Sequence, residues 1–100
     1  MPENPPALDC SLAPDDLADR GRSWLGLEPM LVDRLPVEGG FQARYRDEPG
    51  VGDRLRALAT AEQGCCGWAL WTVTAHDGLC TLTVTGPADK MGALASAFGV

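Results

Sequence analysis

Residues 68–86 read WALWTVTAHDGLCTLTVTG, and the period of this stretch decides what fold the chain can have. Polar and apolar side chains alternate on both sides of His76-Asp77-Gly78. An Asp-Gly step between two alternating runs signals a hairpin, because its turn needs residues that tolerate positive φ. The expected arms are Trp68 to Ala75 and Leu79 to Thr85, joined by the His76-Asp77-Gly78 turn. A period of two puts Cys80, Leu82 and Val84 on one face of the second arm. On the first arm it sets Trp71 and Val73 against Trp68, Leu70, Thr72 and Thr74, which makes Trp68 a candidate for a second interface.

Upstream, the pattern changes to a helical one. Pro49 opens a helix whose apolar stripe is Val51, Leu55, Leu58 and Ala59, and the same stripe continues to Glu62, Cys65 and Cys66. Gly64 weakens that helix and Gly67 ends it. Before it, Met30 to Leu35 and Phe41 to Arg46 form a first hairpin around Glu38-Gly39-Gly40, with Phe41, Ala43 and Tyr45 on one face. A first helix starts at Pro14, carries Asp15, Asp16 and Asp19 at its positive end and runs to about Leu25. Its apolar spacing is Leu17, Gly21 and Trp24, with Leu25 beside them. Residues 7–12 alternate Leu8, Cys10 and Leu12 and read as a short strand. Downstream, Pro87 starts a third helix with Met91, Leu94, Ala95 and Phe98 inward.

The expected order is β-α-β-β-α-β-β-α, an α+β fold. Local pairing favours an antiparallel or mixed sheet of about five strands with helices on one face. The helix-hairpin unit occurs twice, at about 14–46 and 49–85. With 100 residues, a single domain is expected at 7–100, after a short disordered lead at 1–6.

Composition narrows the function classes. The net charge of −6 argues against nucleic acid, whose phosphates need clustered cations. Arg20/Arg22, Arg44/Arg46 and Arg54/Arg56 each sit among acids and read as solvated polar faces. No apolar run approaches the roughly 20 residues of a membrane span. The opening Met-Pro-Glu-Asn-Pro-Pro lacks the charge and apolar core of a secretory signal. A cytoplasmic protein is the expectation, and in that reducing compartment cysteines serve as thiols, ligands or catalytic groups. The spacing of Cys10, Cys65, Cys66 and Cys80 matches no zinc-finger pattern, and His76 is the single histidine.

Chemistry concentrates at "TAEQGCCGWALW", residues 60–71. Glu62 interrupts an apolar stripe, where a carboxylate must be paired or protonated. It lies three and four residues before Cys65 and Cys66, within side-chain reach on a helix. Adjacent cysteines form only a strained, easily reduced disulfide. Two adjacent thiolates instead suit one soft ion: Cu(I), zinc, Hg(II) or As(III). Cys10 or Cys80 would supply a third sulfur, each facing the core side of its strand. As packing, all four are simply small hydrophobes. The helix C-terminus disfavours thiolate, with Arg44 or Arg46 as candidate compensating cations. His76 reads as a surface turn residue.

"AEQGCCGW", followed by strand, "DG", strand and "TGP" before a terminal helix, resembles small actinobacterial proteins with an E-x-x-C-C-x-aromatic motif. Leu12 through Arg20 is similar to their opening helix, so the likeness covers most of the chain past Ala7. Some of those proteins occur in heavy-metal-resistance settings. The resemblance implies soft-metal handling and marks Glu62, Cys65 and Cys66; Trp68 stands where such motifs often carry phenylalanine.

The leading expectation is a small thiol-based binder of a soft metal or metalloid. Cys65 and Cys66 would be ligands, Cys10 or Cys80 a third, and Glu62 a proton acceptor or tuning group. The second reading is a thiol enzyme, redox or lyase-like, with Cys65 and Cys66 as attacking and resolving thiols and Glu62 as acid/base. The third is a non-catalytic module that dimerises or holds a small ligand. The partners envisaged are a metal ion or small molecule and a second copy of the chain, with neither nucleic acid nor membrane.

Overall fold

The computed structural model describes residues 14–65 and 67–100. The expected strand at 7–12, with Cys10, lies outside the described residues, as does Cys66. The order is α1 (Pro14–Leu25), a 3-10 turn (Glu28–Met30), β1 (Leu31–Val37), β2 (Gly40–Arg46), α2 (Val51–Cys65), β3 (Leu70–His76), β4 (Leu79–Thr85) and α3 (Ala88–Ala97). The fold is α+β. Its sheet has four strands among the described residues, in place of the expected five, in the order β1-β2-β4-β3 with every pairing antiparallel.

The two helix-hairpin units pair through their second strands. β2 and β4 occupy the centre, with Phe41 opposite Val84, Ala43 opposite Leu82 and Tyr45 opposite Cys80. All six of these side chains are buried, as a half-covered antiparallel sheet requires. β1 and β3 form the edges.

Turn chemistry holds the register. His76 belongs to β3 and pairs with Leu79, so the second turn is Asp77-Gly78 alone. Asp77 at φ 54° and Gly78 at φ 76° are both left-handed, the two-residue geometry that matches strand twist. In the first hairpin Gly39 has φ 80°. At Gly40 an added Cβ would fall 1.8 Å from the Val84 carbonyl oxygen, so β2 enters the sheet at a point that excludes any side chain.

The helices cover one face. Val51, Leu55 and Ala59 of α2 and Met91 and Leu94 of α3 join the strand residues in one core. Phe98, just past α3, sits among Trp24 and Phe41, each 5.2 Å away between ring centroids, and Trp71 at 5.9 Å. Leu25, expected beside the apolar spacing of α1, is 66% exposed, and Leu27 beyond the helix is fully buried. The chain bends at Gly26 to deliver it, with Leu27 N–H bonded to the Trp24 carbonyl at 3.0 Å. Trp68, expected on the outer face with Leu70, instead precedes β3 and packs half-buried against the core. No helix among the described residues is long and apolar enough to cross a membrane.

Candidate functional site

The candidate site is the junction between the C-terminal end of α2 and the start of β3, where Cys65 is the last helical residue. Two faces of α2 and the loop that follows it hold that end in place.

The first face carries Glu62, which is 8% exposed. Its Oε2 accepts a hydrogen bond from Trp24 Nε1 at 2.9 Å and pairs with Arg20 Nη1 at 3.1 Å. The Arg20 contact is a charge pairing without hydrogen-bond alignment, because that nitrogen has no directed partner. The reason for an acid in an apolar stripe is therefore α1, and the expected dependence of Glu62 on neighbouring thiols is not needed. A buried carboxylate with one N–H donor and one guanidinium has the partners its desolvation demands.

These contacts also orient α1. Arg20 and Trp24 reach Glu62, while Gly26 lies against Arg54, whose Nη2 would be 2.7 Å from a Cβ at that position. Advancing along α1 thus means going back along α2, so the helices run antiparallel. The N-terminal end of α1 lies on the side of Cys65.

The second face carries Gln63. Its Nε2 donates to the Ala69 carbonyl at 2.9 Å and its Oε1 accepts from Trp71 N–H at 3.0 Å. One side-chain amide thereby closes the first outward-facing backbone pair of β3, as a neighbouring strand would. The alternating sequence contains no signal for this contact; a polar residue beside the thiols reads as solvated helix surface.

The third element is the loop itself. Lys90 Nζ lies 5.3 Å from the Trp68 ring centroid, a cation–π distance. Trp68 Nε1 is buried without a hydrogen-bond partner. The cations expected to compensate thiolate charge are elsewhere: Arg44 pairs with Asp33, and Arg46 with Glu48 at 3.0 Å.

Cys80 stands apart from this junction. It is fully buried, and its Sγ would lie 3.5 Å from a Cβ at Gly52, near the start of α2. Gly52 and Cys65 are separated by 13 residues of helix, or about 20 Å at 1.5 Å per residue. The two strand-and-helix cysteines therefore occupy opposite ends of α2. The Cys80 thiol donates to Asp47 Oδ1 at 3.4 Å. Burial pushes its pKa up, and the Asp47 hydrogen bond and charge push the same way, against a lesser opposing pull from Arg56. A thiol so placed stays protonated and is a poor nucleophile or ligand.

His76 is exposed and pairs with Asp77 at 3.1 Å, as a surface turn residue should. No group of three or more His, Cys, Asp or Glu able to hold a metal occurs among the described residues. No protein-family profile, curated protein or solved structure matches this chain.

Proposed function

We propose that this chain is a small thiol-based soft-metal-binding protein whose ligands are Cys65 and Cys66, with Cys10 rather than Cys80 as the third sulfur. The observation that carries the choice is the antiparallel docking of α1 on α2 through Glu62. It sets the N-terminal end of α1 beside the end of α2 that bears the cysteine pair. Cys10 precedes Pro14 by four residues, a tether of about 13–14 Å when extended. Cys80 lies at the other end of α2, held by Asp47.

On this reading Glu62 is a positioning residue. Its carboxylate is engaged by α1, and binding of the metal releases the thiol protons to solvent. Vicinal thiolates favour soft ions such as Hg(II) or Cu(I) over hard ones. The C-terminal position of Cys65 on α2 fits this better than nucleophilic attack, because the negative end of a helix dipole opposes a free thiolate, while a bound cation removes that penalty.

Titration of the reduced full chain with Hg(II), followed by thiolate-to-metal absorption, tests the proposal. Cys65→Ser/Cys66→Ser should abolish the signal, Cys10→Ser should weaken it, and Cys80→Ser should leave it unchanged. Equal binding by the double variant and the parent sinks the reading.

A further inference from the structure

Among the described residues, the two edges of the sheet are treated very differently. β1 is blunted: Pro36 has no N–H to offer, a register shift separates Leu31 from Asp33, and Asp33 and Arg34 carry charges paired with Arg44 and Glu28. Such devices keep edges from pairing with other chains. β3 has none of them. From Leu70 to Ala75 it contains no proline and no charged residue, in a chain of net charge −6.

Gln63 reveals which residues of β3 face outward. It binds Ala69 O and Trp71 N, so by the strand period Val73 and Ala75 point their backbone groups the same way. Thr72, Thr74 and His76 point theirs to β4. Gln63 occupies the near end of the edge, and Val73 beyond it borders a groove of about 310 Å³ lined by Arg56, Ala59, Thr60, Gln63, Trp71 and Val73.

We infer that β3 is a homodimer interface, pairing antiparallel with β3 of a second copy across a two-fold axis at Thr74. The symmetric register that uses both open residues and spares Trp71 sets Val73 against Ala75 of the second copy and Ala75 against its Val73. Each such pair exchanges both backbone hydrogen bonds, and the contact is self-complementary as a two-fold interface must be. The same register brings the His76-Asp77 turn of one copy alongside the groove of the other. Among the described residues lining it Arg56 is the charged one, with an exposed contact to Asp53 at 3.7 Å. Asp77 and Arg56 are thus complementary in charge, twice by symmetry. Leu70, 58% exposed on the outer face, comes opposite Gly78 of the second copy and is covered by its turn. A continuous sheet of two copies results, with all helices on one side.

Sedimentation of the full chain at submillimolar concentration tests the inference. Thr74 is exposed, so charged variants there leave the single-chain fold intact, which circular dichroism checks. The parent should sediment as a dimer. Thr74→Lys alone and Thr74→Glu alone place like charges face to face on the axis and should each sediment as monomers. Mixed in equal amounts, they should restore a dimer, because only the mixed pair sets opposite charges across the axis. A monomeric parent overturns the inference, as does a dimer that both single variants retain. Neither result depends on metal binding, which is read separately by absorption.

Discussion

Glu62 shows how a single residue can be conspicuous in sequence while its reason lies elsewhere in the chain. The helical stripe marks it as out of place; nothing local shows that Trp24 and Arg20, in another helix, supply the donor and the positive charge. Removing the carboxylate leaves the Trp24 N–H and the Arg20 charge without their partner. Glu62→Ala should therefore cost about 2–3 kcal/mol in urea unfolding. Glu62→Gln keeps an acceptor for Trp24 but loses the charge pairing, and about 1 kcal/mol is expected. If the two variants are equally stable, the charge contributes nothing. Cys80 is the reverse case. Its strand period placed it correctly in the core, but its distance from Cys65 follows from the course of α2, which has Gly52 beside Cys80 near its start and Gln63 at the start of β3 near its end. A residue's own pattern carries its burial, and its neighbours come from the packing of other elements.

At the scale of elements, α2 does three things with three faces. Val51, Leu55 and Ala59 cover the sheet, Glu62 docks α1, and Gln63 stitches the helix to β3. The first was readable as a stripe of period 3.6, and the span of α2 agrees with the Pro49 and Gly67 signals. The Gln63 contact was not, because a glutamine on a helix surface has no sequence signature for the backbone it meets. Gln63→Ala leaves the Ala69 carbonyl and the Trp71 N–H without these partners. It should cost about 1–2 kcal/mol. Hydrogen exchange at the Trp71 amide should accelerate beyond what the change in global stability explains. Exchange that tracks global stability alone would mean the stitch closes no local opening. The hairpins were the most legible elements, since Asp77-Gly78 satisfies a backbone requirement that few other pairs meet. Their arms moved by a residue or two: His76 joined β3 and Trp68 left it, drawn onto the core beside Lys90.

For the molecule as a whole, the repeated helix-hairpin unit becomes one sheet by joining β2 to β4 and leaving β1 and β3 at the rims. The central pair carries Tyr45 opposite Cys80, two buried titratable groups whose acidities are both weakened by desolvation. The folded state therefore holds these protons at pH values where the unfolded chain releases them. Their stabilising effect is complete below the unfolded thiol's value, about pH 9, and declines as pH rises through the alkaline range. Urea unfolding from pH 7 to 11 should show stability falling above about pH 9. In Cys80→Ala the fall should be delayed toward the tyrosine range, whatever the variant costs at neutral pH. An unchanged alkaline profile in that variant would remove the thiol from the account.

By itself the sequence determined the fold class, the helices, the hairpins and the inward faces of α2, α3, β2 and β4, because these rest on local period, turn chemistry and helix breakers. It also singled out Glu62, Cys65 and Cys66, because a carboxylate and paired thiols on an apolar stripe conflict with the pattern around them. Only the tertiary structure decided that Glu62 answers to α1, that Cys80 is held at the far end of α2, that Arg44 and Arg46 are engaged on the sheet, and that β3 is the unblunted edge. Each of these depends on which distant elements come together and in which direction. Such contacts are settled by how the helices and hairpins share one core, and a linear pattern of residues does not contain that geometry.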